Sequence, residues 1–191
     1  MSKKLLNENC FYKEHEVIAF KKVAEEWGGF SNFSREYPIV INDVLFDCSE
    51  RFFQILRYGE YPDFQKEFME VKSAFWAKKL KHKHKEKIRR DWDFISLDVM
   101  KYVLNEKYKQ NKSFRLLLDL VPKNKYIVED STKLNGDSAI YWGAKFNKDK
   151  NVYEGINNMG KLLMLLKNNG KLNYNLPNDL KIFGSKITYS V

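Results

Sequence analysis

The sequence has few of the residues that mark secreted, disulfide-rich or membrane-spanning proteins. It contains two cysteines, Cys10 and Cys48, which form neither a disulfide framework nor a Cys-x-x-Cys zinc motif. Two thiols in a chain of 191 residues indicate a reduced, intracellular protein. Purely apolar runs are five residues or fewer, and the start of the chain has no apolar stretch. We therefore expect a cytoplasmic protein with no membrane span and no signal peptide.

Histidine is also scarce, which argues against metal or triad chemistry. His82 and His84 lie in a lysine-rich segment, and His15 is distant from both. No carboxylate pair has the helical spacing of a zinc hydrolase. A Ser-His-Asp or Cys-His triad needs a sheltered histidine. We therefore expect no metal site and no cofactor.

Positive charge and aromatic side chains are what the chain has in excess. It carries 34 Lys and Arg against 25 Asp and Glu, a net charge of +9, and 15% of its residues are aromatic. A basic surface favours anionic partners, and aromatic rings stack on flat ligands as well as filling cores. Eight of the basic residues lie in Lys78–Arg90. This run is either a solvated helix end and loop or a phosphate or nucleic-acid patch.

Hydrophobic periodicity predicts a chain in which helices outnumber strands. The predicted strands are 16–20, a hairpin over 37–46 that turns at Asn42–Asp43, 126–129, and a last strand or extended tail over 181–189. The predicted helices are 49–58 capped by Ser49, one from Pro62 with the stripe Phe64, Phe68, Val71 and Phe75, then 99–108, 113–121, and 158–169 ended by Gly170. The elements do not alternate regularly, and no linker or repeat interrupts them. We therefore predict one α+β domain over residues 1–191.

The stretch Gly155–Leu162 resembles a phosphate-binding P-loop, with glycines and Lys161 at suitable spacing. Leu162 stands where that motif needs a hydroxyl for magnesium, which argues against a nucleotide triphosphatase. A glycine-containing turn into a helix N-terminus still leaves amide N–H groups for an anion. The alternative is a core helix that begins at Asn157 or Asn158.

Glu50, Gln54 and Arg57 would share one face of a helix, because they stand at i, i+4 and i+7. The apolar residues between them would tie that helix to the core. A carboxylate, an amide and a guanidinium beside aromatic rings would make a small polar cleft. An ordinary ion pair on a surface is the alternative.

An ordered set of short motifs between residues 28 and 167 resembles one known family. The motifs are Phe30-Ser31-Asn32-Phe33, Ser49-Glu50-Arg51-Phe52-Phe53-Gln54, Arg90-Asp91-Trp92-Asp93, Val99-Met100, Lys107-Tyr108-x-Gln110-Asn111, Val128-Glu129, Tyr141-Trp142-Gly143 and Gly155-x-Asn157-x-x-Gly160-x-x-Leu163-Met164. Together they resemble the NADAR, or YbiA-like, family, whose name refers to NAD and ADP-ribose. The resemblance implies a compact, mostly helical α+β domain with a small antiparallel sheet. It also implies metal-independent N-glycosidase chemistry on ribosyl phosphates, such as early riboflavin-pathway intermediates or ADP-ribose attached to guanine.

The resemblance also implies a set of site residues. Glu50 is the expected carboxylate that stabilises positive charge on the sugar, or the acid/base. Trp142 is expected to stack on a base or line the sugar pocket, Asn157 to lie near phosphate or ribose hydroxyls, and Arg90 to pair with a phosphate. The predicted catalytic residues are Glu50, Arg57 and Asp137. The predicted substrate-binding residues are Ser31, Asn32, Phe33, Arg51, Phe53, Gln54, Arg90, Trp92, Glu129, Trp142, Gly143 and Asn157, with a structural role as the alternative for Trp92.

Three positions depart from the family pattern. Arg51 replaces the usual histidine, Ala139 replaces an aspartate for which Asp137 is the candidate substitute, and Arg57 replaces a lysine expected to attack an opened ribose aldehyde. A guanidinium is a poor nucleophile and does not form a Schiff base. We therefore predict a glycosidase that uses Glu50 on water, with Arg57 as an electrostatic clamp. The alternative is a binding module for ADP-ribose or nucleotides. The expected partner is an ADP-ribosyl or ribosyl-phosphate ligand, and ADP-ribosylated nucleic acid is a further candidate partner.

Overall fold

Two compact units make up the described part of the chain. The computed structural model describes residues 8–71, 80 and 84–188. One unit contains the described residues of Met1–Ser34 and Lys112–Leu172, and the other contains those of Arg35–Asn111 and Asn173–Val191. The prediction of one domain over residues 1–191 stays a prediction.

The helices and strands of both units follow one another along the chain. In chain order they are β1 (Cys10–Lys13), β2 (Val17–Phe20), β3 (Ile39–Ile41), β4 (Val44–Phe46), α1 (Ser49–Ile55), α2 (Pro62–Glu70), α3 (Trp92–Gln110), α4 (Lys112–Asp119), β5 (Tyr126–Glu129), α5 (Asp137–Trp142), β6 (Lys145–Asn147), β7 (Val152–Gly155), α6 (Asn158–Asn169), β8 (Lys181–Ile182) and β9 (Ser185–Lys186). One short 3-10 turn precedes β2 and another follows α1, and others lie at Gly28–Phe30 and Lys85–Lys87. The α+β prediction is confirmed.

The first unit is organised around two small sheets and α6. β1, β7 and β6 form a small antiparallel sheet of the kind that the family resemblance implies, although these three strands were not predicted from the sequence. β2 pairs with β5 in parallel, with Val17 opposite Tyr126. Helix α6 packs on β5 so closely that a Cβ atom on Gly160 would lie 2.0 Å from the Ile127 carbonyl oxygen. Only glycine allows this approach. The start of α6 is therefore fixed against the middle of β5.

The second unit is organised around α1 and α3. α1 packs on α3 and on α2, and its residues Phe52 and Ile55 are fully buried. The Phe52 ring lies 4.8 Å from the Phe46 ring and 5.9 Å from the Tyr102 ring, measured between centroids. These contacts fix the position of α1, and with it the Cα atoms of the residues on its opposite face.

Several predicted elements are confirmed with changes at their ends. The turn of the β3–β4 hairpin lies at Asn42 and Asp43, whose φ angles of 49° and 61° are those of a tight hairpin turn. Ser49 does not cap α1, because it is the first helical residue and Cys48 occupies the cap position without a side-chain bond. Helix α2 ends at Glu70, and Val71 is extended. The predicted stripe residue Phe75 lies outside the described residues, as does most of Lys78–Lys83.

The predicted tail over residues 181–189 is a hairpin over its described part. β8 and β9 pair across Phe183 and Gly184, both of which have positive φ. Across residues 8–71, 80 and 84–188, no helix has the length and apolar character needed to cross a membrane.

Candidate functional site

One face of α1 and the turn after it carries a carboxylate, an amide and a guanidinium. Glu50 lies in the first turn of α1, and Arg57 lies in the 3-10 turn that continues it. The Gln54 Nε2 atom donates a hydrogen bond of 2.5 Å to the Glu50 Oε1 atom. Glu50 and Gln54 are both half-buried. The first two members of the predicted cleft are thus in direct contact.

The Arg57 guanidinium packs against aromatic rings. Its Cζ atom lies 4.8 Å from the centroid of the Trp92 ring and 5.5 Å from that of Phe53. Burial lowers the pKa of Arg57, and the negative charge of Glu50 acts against that shift. The Arg57 Nε atom is buried and has no hydrogen-bond partner among the described residues. Because a guanidinium keeps its proton through such a shift, Arg57 is a fixed cation near Glu50.

Phe53 and Trp92 form the aromatic wall beside this cation. Their ring centroids are 5.1 Å apart, and the residues are 2% and 5% exposed. Cations are attracted to the negative face of such rings. The Trp92 ring thus contacts the Arg57 guanidinium, and the choice between a substrate-binding and a structural role for Trp92 stays a prediction.

Arg51 is occupied by contacts with the protein itself. Its Nη1 atom donates to the carbonyl oxygens of Phe68, Met69 and Val71 at 3.1, 3.1 and 3.0 Å, at the end of α2. Its Nε atom donates to Asp47 Oδ1 at 2.7 Å, and the Arg51 side chain is 10% exposed. These bonds satisfy carbonyls that a helix end leaves without partners. A role of Arg51 in substrate binding stays a prediction.

Arg89 and Arg90 have opposite surroundings. Arg89 donates to Asp91 at 2.6 and 2.9 Å and to Asp179 at 3.0 Å, which raises the pKa of Arg89 and lowers that of Asp91. Its backbone N–H also donates to the Arg57 carbonyl oxygen at 2.9 Å. Arg90 is exposed, and no hydrogen bond or ion pair to it is found within the described ranges. Arg89 is thus held by the protein itself, and the pairing of Arg90 with a phosphate stays a prediction.

In the first unit, the Ser31-Asn32-Phe33 motif follows the 3-10 turn Gly28–Phe30. The Phe33 backbone N–H donates to Ser31 Oγ at 3.2 Å, which closes a tight local turn. Asn32 is buried, and its Nδ2 atom lies 3.9 Å from Met159 Sδ in the first turn of α6. Phe33 is 46% exposed. The motif is thus anchored to the start of α6 through Asn32.

Asn157 holds α6 to the end of β5. Its Nδ2 atom donates to the Ile127 carbonyl at 2.9 Å, and its Oδ1 atom accepts from the Glu129 backbone N–H at 3.1 Å. Its φ of 53° is left-handed, which asparagine tolerates better than most residues. A Cβ atom on Gly143 would lie 2.4 Å from the Glu129 carbonyl oxygen. Asn157, Glu129 and Gly143 therefore lie close together, with the Asn157 amide used by the backbone at both ends.

Helix α5 places Asp137 and Ala139, the two candidate positions for the family's aspartate, at different angles around its axis relative to Trp142. Asp137 is exposed, and it stands five residues before Trp142, about 140° away around the helix axis. Ala139 is 6% exposed and stands only about 60° from Trp142. The family's aspartate position is thus the buried one. The catalytic role of Asp137 stays a prediction, and its exposed position does not favour that role.

Sequence reasoning did not predict the ion pair of Asp47 or the burial of Lys107. Asp47 fixes the Arg51 guanidinium, which together with that of Arg35 holds the pKa of the Asp47 carboxyl low. The i, i+4 spacing of Asp47 and Arg51 is a signal that points to this pair. Lys107 is fully buried, with its Nζ atom 5.2 Å from the centroid of the Tyr37 ring. No group of three or more His, Cys, Asp or Glu side chains in the described ranges is placed to hold a metal ion.

Comparison with known proteins places the chain in a family. The model of the NADAR domain matches residues 10–169. The chain is 27% identical to N-glycosidase YbiA of Escherichia coli over 151 residues, which is 79% of this chain and 86% of that protein. An N-glycosidase of Nostoc punctiforme is 28% identical over 153 residues, covering 79% of this chain and 90% of that protein. A riboflavin biosynthesis protein of Vibrio vulnificus is 26% identical over 152 residues, covering 78% of this chain but 37% of that protein.

A comparison of structures agrees with the comparison of sequences. The NMR structure of E. coli YbiA matches with a TM-score of 0.63 at 27% identity, covering 80% of this chain and 83% of that structure. The chain belongs to the NADAR family. The names of its relatives bear out the prediction of a glycosyl hydrolase.

Proposed function

We propose that the chain is an N-glycosidase that hydrolyses a ribose–nitrogen bond, with Glu50 as its catalytic carboxylate. The observation that carries this proposal is the 2.5 Å bond that fixes Glu50 to Gln54 in the unit that holds the Arg57 cation. Water adds a hydroxyl to the ribose carbon and a proton to the departing nitrogen. Positive charge builds on the sugar as the bond breaks, and a preorganised carboxylate stabilises it.

Arg57 acts as an electrostatic clamp rather than as a nucleophile. Its guanidinium carries a fixed positive charge and offers planar donors that suit a phosphate. The buried Nε atom, which lacks a partner among the described residues, is a donor that a bound oxyanion can satisfy. This chemistry fits a substrate that carries phosphate, such as an ADP-ribosyl group or a ribosyl phosphate.

Two substrate classes follow from this proposal. One is ADP-ribose attached to guanine, free or carried on nucleic acid, and the other is an early riboflavin-pathway intermediate. The name of the V. vulnificus relative supports the second class. The test is to offer ADP-ribosylated guanosine and a ribosylaminopyrimidine phosphate separately, and to follow base release by chromatography. Release from one of them identifies the class, and release from neither contradicts the proposal.

A binding module is the second candidate, because Arg57 stands at the family's lysine position. In that case the protein binds ADP-ribose and releases no base. Titration calorimetry with ADP-ribose at two salt concentrations, alongside the chromatography, separates these functions. Salt-sensitive affinity for ADP-ribosylated oligonucleotide, but not for free ADP-ribose, would assign the exposed Arg90 and its basic neighbours to nucleic acid.

The remaining predicted contacts are part of the same proposal. Within the first unit, taken by itself, we propose Ser31, Asn32 and Trp142 as ligand contacts, and Asn157 fixes the backbone at the end of β5 through its bonds to Ile127 and Glu129. The cytoplasmic location expected from the sequence stays a prediction.

A further inference from the structure

The bond between Gln54 and Glu50 assigns a second role on α1. The amide nitrogen of Gln54 donates and the carboxylate oxygen of Glu50 accepts, at 2.5 Å. A donated hydrogen bond to a carboxylate favours its ionised form, because the bond is stronger to the charged group than to the neutral one. We propose that Gln54 is a positioning residue that keeps Glu50 ionised and correctly oriented, an inference that rests on the proposed role of Glu50.

The other end of the Gln54 amide, its buried Oε1 atom, has no hydrogen-bond partner among the described residues. A buried acceptor without a partner is destabilising, since its bonds to water are lost on folding. An apolar side chain of similar size would avoid that cost. The hydrogen bond to Glu50 is therefore the feature that explains an amide at this position.

Two other glutamines of the same unit make the contrast clear. Gln65 donates to the carbonyls of Ile55 and Lys181 at 3.1 and 3.0 Å, and accepts from the Phe183 N–H at 2.6 Å. Gln110 donates to the Val40 carbonyl at 3.1 Å and accepts from the Val40 N–H at 2.8 Å. Both amides use both ends to join segments of backbone. Gln54 uses one end, on a carboxylate.

Gln110 is also a matched reference for the Gln54 bond. Its Nε2 atom donates to the Glu106 Oε2 atom at 2.8 Å, again from position i+4 to position i of a helix. That pair is exposed, whereas the Glu50–Gln54 pair is half-buried. Hydrogen bonds strengthen as water is excluded. The same substitution at both glutamines therefore separates an effect on Glu50 from an effect on the stability of the fold.

Charged and titratable groups around Glu50 set the background for this role. Arg57 is a nearby cation, and the Cys48 thiol before α1 has a pKa raised to about 11, first by burial and then by charges that include Glu50. The Asp47–Arg51 pair is closed on itself, and Asp93 of α3 acts on Arg57. On α2 the Asp63–Lys66 pair is exposed. Gln54 adds a donor to this background without adding a charge.

The test measures the ionisation of Glu50 without requiring turnover. Glutamate labelled with ¹³C at Cδ is titrated by NMR in the full chain, and the Glu50 signal is assigned by its loss in Glu50→Gln. Gln54→Met removes the donor, so the midpoint of the Glu50 titration is expected to rise by about one pH unit. Gln54→Glu places two carboxylates in contact, so a larger rise is expected.

Kinetics and thermal unfolding complete the test. With whichever of the two proposed substrates the natural protein hydrolyses, Gln54→Met is expected to lower kcat at least tenfold, with KM changed less than twofold and the melting temperature unchanged or higher. Gln110→Met is expected to lower the melting temperature and to leave kcat unchanged. An unchanged Glu50 midpoint in Gln54→Met, or a loss of kcat that merely follows a lowered melting temperature, overturns the positioning role. Activity that survives Glu50→Gln overturns the proposed function instead, and the NMR result still decides the role of Gln54.

Discussion

The Cζ atom of Arg57 lies 4.8 Å from the centroid of the Trp92 ring, at the position where the family usually has a lysine. Burial and ring contact hold a permanent cation there, with Glu50 close enough to influence its pKa. A lysine at this position could attack an opened sugar, whereas an arginine serves only as a charge and a donor. The difference between the two side chains gives the first prediction.

Arg57→Lys is expected to introduce covalent chemistry that the natural chain lacks. With ADP-ribosylated guanosine and sodium borohydride, intact-mass spectrometry should show no adduct on the natural protein and an ADP-ribosyl adduct on Arg57→Lys. A primary amine partly freed of its proton by the same buried setting forms a Schiff base, and borohydride reduces it.

Arg57→Met is the control for borohydride trapping, because methionine is unbranched and has no amine. An adduct on the natural protein or on Arg57→Met would place the nucleophile at another residue. Base release that appears only in Arg57→Lys would make the natural chain a binding module.

Arg51→Ala is expected to destabilise the fold by about 2–4 kcal/mol, since it removes the donors to three carbonyls and to Asp47. The KM of Arg51→Ala should stay within about twofold of the natural value when the rates are corrected for the fraction of protein that is folded. Urea unfolding and initial rates measure the two effects.

Arg35→Ala is the control, because Arg35 binds the same Asp47 with a side chain that is 62% exposed. It should cost less than about 1 kcal/mol. A large rise in KM for Arg51→Ala with normal stability would assign Arg51 to the substrate.

Because Lys107 is buried, we expect the free energy of unfolding to depend on pH. Burial lowers the pKa of Lys107 to about 7, whereas an unfolded lysine titrates near 10.5. Between these values the unfolded state holds a proton that the folded state does not, so stability rises with pH. Lys107→Met removes this group and should be more stable than the natural protein at pH 7. That advantage should shrink by about 1 kcal/mol per pH unit from pH 7 to 10.

Urea unfolding of both proteins at pH 7, 8 and 9 measures that difference, in which the other titrating groups cancel. Lys109→Met, an exposed position on the same helix, should run parallel to the natural protein at each pH. A constant difference between Lys107→Met and the natural protein would mean that Lys107 keeps its charge in the fold.

Gly160→Ala tests the close packing of α6 on β5. The added Cβ atom would lie 2.0 Å from the Ile127 carbonyl oxygen and 2.5 Å from Asn157 Nδ2. The expected loss is about 2–3 kcal/mol, in spite of the better helix propensity of alanine. Gly59→Ala is the control, because its nearest neighbour would be 3.7 Å away. Thermal unfolding compares the two, and equal melting temperatures would contradict the packing described here.

Local signals explain the parts of the fold that the sequence predicts well. Helix α6 has an apolar run and Gly170 at its end with a φ of 71°, and it begins and ends at the predicted residues. The β3–β4 hairpin has β-branched residues around an Asn-Asp turn. Strands β1, β6 and β7 were missed, because strands of three or four residues that mix polar and apolar side chains give almost no periodic signal.

In the candidate site too, local spacing predicts only the contacts between residues that are close in sequence. The face shared by Glu50 and Gln54 follows from helical spacing alone, and the structure places them in contact. The partners of Asn157 are 28 and 30 residues away, at Glu129 and Ile127, so its structural use is invisible in its own motif. The carbonyls that Arg51 binds are 17 to 20 residues distant for the same reason. Long-range partners decide whether a polar residue serves the fold or a ligand.

Base release by Glu50→Gln, from whichever of the two proposed substrates the natural protein hydrolyses, is the measurement that tests the central claim most directly. The substitution keeps the shape of the side chain and removes its charge. Glu67→Gln, exposed on α2, is the matched control. Chromatography should show release of the base by the natural protein and by Glu67→Gln, and a loss of at least about a hundredfold with Glu50→Gln at an unchanged melting temperature. Release by Glu50→Gln at the natural rate would contradict the account.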